Sequence, residues 1–242
     1  MIINLKEINY YFLTTGNNKQ RCDHMKEMLK NYNYTEINPP MDIKENDTER
    51  FKHKSAIIGF YRMIHQGLKD QDKNKPFIPF VIFEDDANIY KKIPDNIDVP
   101  DDADIVYLGL SSQGWSGSSH LLPHSVDINN DYVRTYNMLG GHSIMFCTPL
   151  GASAYQRALV ENYYTRLIVW DIPFADSQSY YNVYALKIPL FYQDKNLGGQ
   201  ELPTKITLKD GNILYESEQH HRMPTKYVSK PFRSSFRSPF MD

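Results

Sequence analysis

Three consecutive carboxylates, Glu84-Asp85-Asp86, follow directly on the apolar run Phe77 to Phe83, which is broken only by Pro79. Such a run reads as a strand buried on both faces of a parallel sheet. Alternate side chains of a strand share a face, so Glu84 and Asp86 point together and Asp85 points away. Like charges packed at a strand end are costly unless a cation or hydrogen-bond donors compensate them. A hard divalent ion, Mn2+ or Mg2+, held by oxygen and shared with a diphosphate, would do so. The alternative is a solvated acidic turn.

Two further clusters carry chemistry. Leu139-Gly140-Gly141-His142-Ser143 precedes an apolar run. Paired glycines let a backbone approach a ligand closely, and His142 can donate to a hydroxyl or a phosphate, or else this is a tight turn beside a surface histidine. In Val169-Trp170-Asp171-Ile172-Pro173, a tryptophan beside an aspartate suits a sugar, the ring on its apolar face and the carboxylate on a hydroxyl. Asp171 as a helix cap is the other reading. His220-His221 offers a metal ligand or an exposed pair.

The elements that must position these residues alternate between strand and helix. Ile8 to Leu13 reads as a first strand, ended by the polar turn Thr14 to Asn18, and a helix follows from Gln20 to Asn31. A strand, turn and helix in that order leave backbone N–H groups free at a helix start, where phosphate can be held. Residues 38–50 read as a loop. Ser55 then reads as the N-cap of a helix whose Ile57, Phe60, Tyr61, Ile64 and Leu68 form one apolar face. Ile105 to Leu108 and Ser143 to Cys147 are short apolar strands, and Pro149 and Gly151 open another helix. A helix over Ala175 to Tyr184 and a strand over Lys187 to Tyr192 complete the pattern. The alternation predicts one α/β domain over residues 1–200 with a mostly parallel central sheet, and residues 201–242 as a C-terminal extension or arm.

Composition narrows the partners. Twenty-seven Lys and Arg against 29 Asp and Glu leave a net charge of −2, which provides no global field for nucleic acid or an anionic membrane. The exception is local: Arg222, Lys226, Lys230, Arg233 and Arg237 face one acid, Asp242. Cys22 and Cys147 lie far apart and match neither a disulfide framework nor a zinc spacing. No run is apolar enough for a signal peptide or an integral membrane segment, so a cytoplasmic, reduced protein is expected. The 18 Tyr suit sugar contact, although an AT-rich genome raises Tyr, Asn, Lys and Ile alike.

Taken in order over about residues 8 to 200, these pieces resemble glycosyltransferase family 25, which includes bacterial lipooligosaccharide and animal procollagen galactosyltransferases. The likeness rests on the opening strand and Arg21, the helix Ser55 to Leu68, Val81-Ile82-Phe83-Glu84-Asp85-Asp86, and Asp104-Ile105-Val106-Tyr107-Leu108-Gly109. It continues through Gly140-Gly141-His142-Ser143-Ile144 with Gly151-Ala152 and Ala158-Leu159, then Trp170-Asp171 and Tyr192-Gln193-Asp194.

The resemblance implies a GT-A type fold and a nucleotide-diphosphate sugar donor, with a UDP-sugar the expected one. It implies metal-dependent transfer, with inversion, to a glycan, lipid or protein acceptor. On that footing Asp86, with Glu84 or Asp85, holds Mn2+ or Mg2+; Thr14, Thr15 and Arg21 line the nucleotide site; Gly140, Gly141 and His142 lie near the transferred sugar; and Asp171 is the general base. Gly59-Phe60 and Gly198-Gly199 stand where the family has Ser-His and Ser-Asp. A metal-dependent phosphohydrolase or nucleotidyltransferase, and a catalytically silent carbohydrate- or nucleotide-binding protein, remain the competing readings.

Overall fold

The computed structural model describes residues 1–14, 18–38, 48–116, 119–121, 123–199 and 203–217. The basic C-terminal residues, His220-His221 and Thr15 fall outside them.

A mixed sheet of eight strands forms the frame. In chain order these are β1 (Asn9–Leu13), β2 (Asn33–Ile37), β3 (Phe80–Phe83), β4 (Ile105–Tyr107), β5 (Ser125–Asp127), β6 (Tyr132–Thr135), β7 (Ser143–Phe146) and β8 (Val183–Leu186). Their order across the sheet is β5-β6-β8-β4-β7-β3-β1-β2. The pairs β1–β2, β1–β3 and β4–β8 are parallel, and the other four are antiparallel. The sheet is thus mixed rather than mostly parallel in its pairing. The cause is the two reversed strands, β6 and β7, lodged between neighbours that run the other way. Strands β1, β2, β3, β4 and β8 still share one direction.

The strand side chains sort into two cores at a period of two, as a sheet covered on both faces requires. Tyr10, Phe12, Val81, Phe83, Val106, Met145 and Tyr184 join Met25 and Leu29 of helix α1 (Lys19–Met28) and its C-cap on one face. Tyr11, Leu13, Phe80, Ile82, Ile105, Tyr107, Ile144, Phe146 and Val183 fill the other. That second face is covered by α2 (Glu49–Lys69), α3 (Pro149–Thr165) and α4 (Asp171–Ser177). The α2 helix starts a turn and a half before Ser55, because Thr48 caps it by accepting a hydrogen bond from the Phe51 N–H. Ser55 is buried inside the helix. The expected helix at Ala175 ends early, at Ser177, and a 3-10 turn over Gln178–Tyr180 follows. The apolar residues after it are claimed by β8, filling the place between β4 and β6.

Short ribbons decorate the sheet. Ala87–Ile89 pairs with Phe191–Gln193, so the late strand begins near the end of the expected Lys187 to Tyr192 stretch. Residues Thr204–Lys209 and Asn212–Ser217 form a hairpin around Asp210-Gly211, where an arm was expected. Its Ile206 is buried in the second core and its backbone N–H bonds the Lys187 carbonyl at 2.7 Å, which ties it to the domain.

Candidate functional site

Because β1, β3 and β4 run together, their C-terminal ends reach the same rim, where ligands collect in open α/β sheets. Thr14 leaves β1 there, buried, with its N–H on the Ile37 carbonyl at 3.1 Å. Glu84, Asp85 and Asp86 leave β3. The reversed β7 delivers the residues that precede it, Gly140 to His142, to that same rim.

The acidic triplet is split among different partners. Asp85, 4% exposed, pairs with the Arg21 guanidinium at 2.8 Å. Arg21 also donates from Nε to the Leu197 carbonyl at 2.5 Å. Glu84 Oε2 accepts from Gln193 Nε2 at 2.8 Å. Asp86 is buried and its Oδ1 has no hydrogen-bond partner. Its backbone carbonyl accepts from the Asp194 N–H at 2.8 Å.

The electrostatics follow from this crowding. Burial, and then the charges of Asp86 and Asp171, push the Glu84 carboxyl well above the usual carboxylate range, while the Gln193 amide pulls it back. Burial pushes Asp86 up to about 6 against the pull of Arg21, with Asp85 and Asp194 adding smaller repulsions. On Glu84 the charge of Asp86 weighs more than that of Asp85, whereas Asp86 itself is pushed by Asp85 and Asp194.

Asp171 opens α4, but its carboxylate does not cap that helix. It reaches back to accept from the Gly140 N–H at 3.0 Å, which fixes it beside the Gly140-Gly141 turn. Gly140 has φ of 87°, a conformation glycine adopts without strain. A Cβ on Gly141 would stand 1.9 Å from the Trp170 ring, so the closest approach at this glycine is to tryptophan. Trp170 itself is buried and stacked on Phe60 with ring centroids 3.7 Å apart, and its role here is to anchor the start of α4 rather than to present a face to a sugar.

His142 lies behind the turn, against Gly109 at the end of β4, and is 2% exposed. Among the described residues its ring nitrogens make no well-aligned hydrogen bond, the Phe191 backbone being the polar group that acts on the ring. Burial pushes its pKa down to about 4, with the Phe191 backbone acting weakly in the other direction, so the ring is neutral at physiological pH.

The rim therefore brings together Arg21, Glu84, Asp85, Asp86, Gly140, His142 and Asp171. On the other face of the late ribbon lie Asp194, named from sequence only within the family motif, and Asn88, given no role there; Asn88 Nδ2 donates to Asp194 Oδ2 at 2.7 Å. The readable signal was the short capped turn Asp194 to Gly198, in which Asp194 Oδ1 accepts from the Asn196 N–H and Gly198 closes in the left-handed region.

Among the described residues, no three His, Cys, Asp or Glu side chains gather to hold a metal by protein ligands alone. An ion of the Mg2+ type bound with a nucleotide uses one or two carboxylates and takes its remaining oxygens from phosphate and water. The unpartnered Asp86 Oδ1, and the repulsion between the crowded Glu84 and Asp86 carboxyls that a cation would relieve, fit that smaller requirement. Among the described residues no helix is long and apolar enough to cross a membrane.

No protein-family model and no curated protein sequence matches the chain. Among solved structures it is similar to A197 from STIV, at 11% identity and a TM-score of 0.36 over 88% of this chain and 90% of that one.

Proposed function

We propose that the protein transfers a sugar from a nucleotide-diphosphate sugar, a UDP-sugar being the expected donor, to an acceptor hydroxyl with inversion at the anomeric carbon. The observation that carries this reading is the meeting of Glu84, Asp86 and Asp171 at one sheet rim, with Asp86 Oδ1 buried and unpartnered. The frame beneath that rim supports a GT-A type assignment: a strand and then a helix open it, and the acidic segment ends a strand parallel to the first. The motif order shared with glycosyltransferase family 25 adds to this.

In this reading Asp86 and Glu84 would hold Mn2+ or Mg2+, which would supply charge neutralisation for the departing diphosphate. Arg21 and Thr14 line the nucleotide side. Gly140, Gly141 and the neutral His142 lie beside the transferred sugar. Asp171, oriented by the Gly140 N–H, accepts the proton of the acceptor hydroxyl as its oxygen bonds the anomeric carbon and the bond to the diphosphate breaks.

The test is release of nucleoside diphosphate from a panel of UDP- and GDP-sugars with Mn2+. Metal-dependent release from one donor, lost in Asp86→Ala, is the expected result. Asp171→Asn should keep thermal stabilisation by nucleotide and Mn2+ but lose transfer. Release of phosphate or pyrophosphate instead would shift the assignment to a phosphohydrolase or nucleotidyltransferase. No release, and no stabilisation by UDP or GDP, would sink the donor site.

A further inference from the structure

We infer that a depression on the reverse side of the Ala87–Ile89 and Phe191–Gln193 ribbon binds a neutral saccharide, apart from the carboxylate rim. In this ribbon Tyr192 stands opposite Asn88, and Gln193 opposite Ala87. Alternation then gives the ribbon two different faces. One carries Gln193 to Glu84 and packs Phe191 edge-on against Phe83. The other carries Asn88, Tyr192 and, just past the strand, Asp194.

That second face borders a depression of about 370 Å³ lined by Tyr90, Tyr192, Asp194, Lys195 and Asn196 among others. Its volume is within the range of small-molecule sites. The rings of Tyr90 and Tyr192 stand at 75° with centroids 6.3 Å apart, and Tyr90 is 40% exposed. An exposed tyrosine presents an apolar plane with a hydroxyl at its edge, which matches the C–H face and the hydroxyl rim of a pyranose.

The polar groups around the rings are fixed in advance. Asp194 is held by the Asn88 amide at 2.7 Å, by the Asn196 N–H at 2.8 Å, and by its own N–H on the Asp86 carbonyl. A carboxylate has about four acceptor positions, so two remain for hydroxyl donors. The Asp194 carboxylate disfavours an anion at this wall, and Lys195 and Asn196 border the same depression with further polar groups. That combination selects a neutral polyol over a phosphate. The site does not depend on the proposed transfer reaction, since none of its side chains is placed in that chemistry.

The experiment is calorimetric titration of the full chain with lactose, maltose, cellobiose and chitobiose, without metal. Binding of at least one is expected, with affinity falling about tenfold in Tyr90→Ala, the size of one lost stacking contact. Tyr90→Phe should retain most of the affinity. Asp86→Ala should leave binding unchanged while removing donor turnover, so failure of the transfer reading and failure of this one are told apart. Tyr90 is half-exposed and its truncation leaves the core intact, and a thermal melt of the variant checks this. No binding by any of the four sugars, binding indifferent to Tyr90→Ala, or competition by UDP with Mn2+ (which would make this the donor's base pocket) would overturn the inference.

Discussion

Gln193 Nε2 donates to Glu84 Oε2 at 2.8 Å across 109 residues of chain, and this bond joins the late ribbon to the acidic end of β3. It supplies a neutral donor to a carboxylate that has carboxylates for neighbours. Removing it with Gln193→Ala should raise the Glu84 proton affinity further and move the acidic limb of any metal-dependent activity to higher pH. Stability should fall by about 1 kcal/mol, as for one partly buried hydrogen bond. A pH–rate profile with a denaturant melt checks both.

Asp86→Asn should stabilise the metal-free protein. A carboxyl with its folded pKa raised to about 6 retains a proton that the unfolded chain has already released, so stability is lost as pH rises from about 4 through 6. The asparagine variant should be more stable than the parent by about 3 kcal/mol at pH 7, and the difference should fade as pH drops below about 4. The same variant should lose its melting-temperature response to Mn2+. Paired melts across that pH range measure the difference directly.

His142 provides the opposite slope. Its pKa lies near 4 when folded, so it remains neutral where an unfolded histidine takes a proton, and stability falls as pH drops from about 6.5 towards 4. Its imidazole nitrogens, observed by 15N-resolved NMR, should not titrate above pH 5. A midpoint near 6.5 would show that the ring is not enclosed in solution.

The Arg21–Asp85 pair should behave as a buried ion pair whose partners cannot be removed singly. Arg21→Met leaves a carboxylate 4% exposed without its cation and should cost about 3 kcal/mol. Adding Asp85→Asn should recover most of that loss. A double-mutant cycle by chemical denaturation gives the coupling.

Gly141→Ala should be disproportionately damaging for a single methyl group. Its Cβ would meet the Trp170 ring at 1.9 Å, and that ring is confined by Phe60 at 3.7 Å and Phe174 at 5.5 Å between centroids. Overpacking of this kind costs about 1–3 kcal/mol. Tryptophan emission should change with it, and Asp171 should lose its fixed position.

What could be read from sequence follows physical lines. Strands β1, β3, β4 and β7 were legible because both of their faces are buried, which demands a nearly continuous apolar run. Helix α3 was legible from Pro149 and the apolar spacing behind it. Strand β2, Asn-Tyr-Thr-Glu-Ile, was not, since an edge strand with half-exposed residues needs no apolar pattern and takes its register from β1. The hairpin after residue 203 was hidden by polar residues on its open face. Its Asp210-Gly211 turn, with φ of 52° and 75°, nevertheless carries the dipeptide that two-residue hairpins favour. At the site, Glu84 to Asp86 were visible because they are contiguous. Gln193 and Asp194 came only with the family resemblance, because their places on the two faces of the late ribbon depend on its pairing with Ala87 and Asn88 a hundred residues earlier.

The reversal of β7 has a consequence for how this rim can vary. Two of its walls are loops that leave strands, after β3 and β4, and a third is a loop that enters one. Lengthening the entering loop before Gly140 changes what stands over the carboxylates without shifting the register of β3, β4 or β7, which their backbone ladders hold. Specificity and scaffold are thereby inherited through separate stretches of chain, and a relative could exchange one while keeping the other.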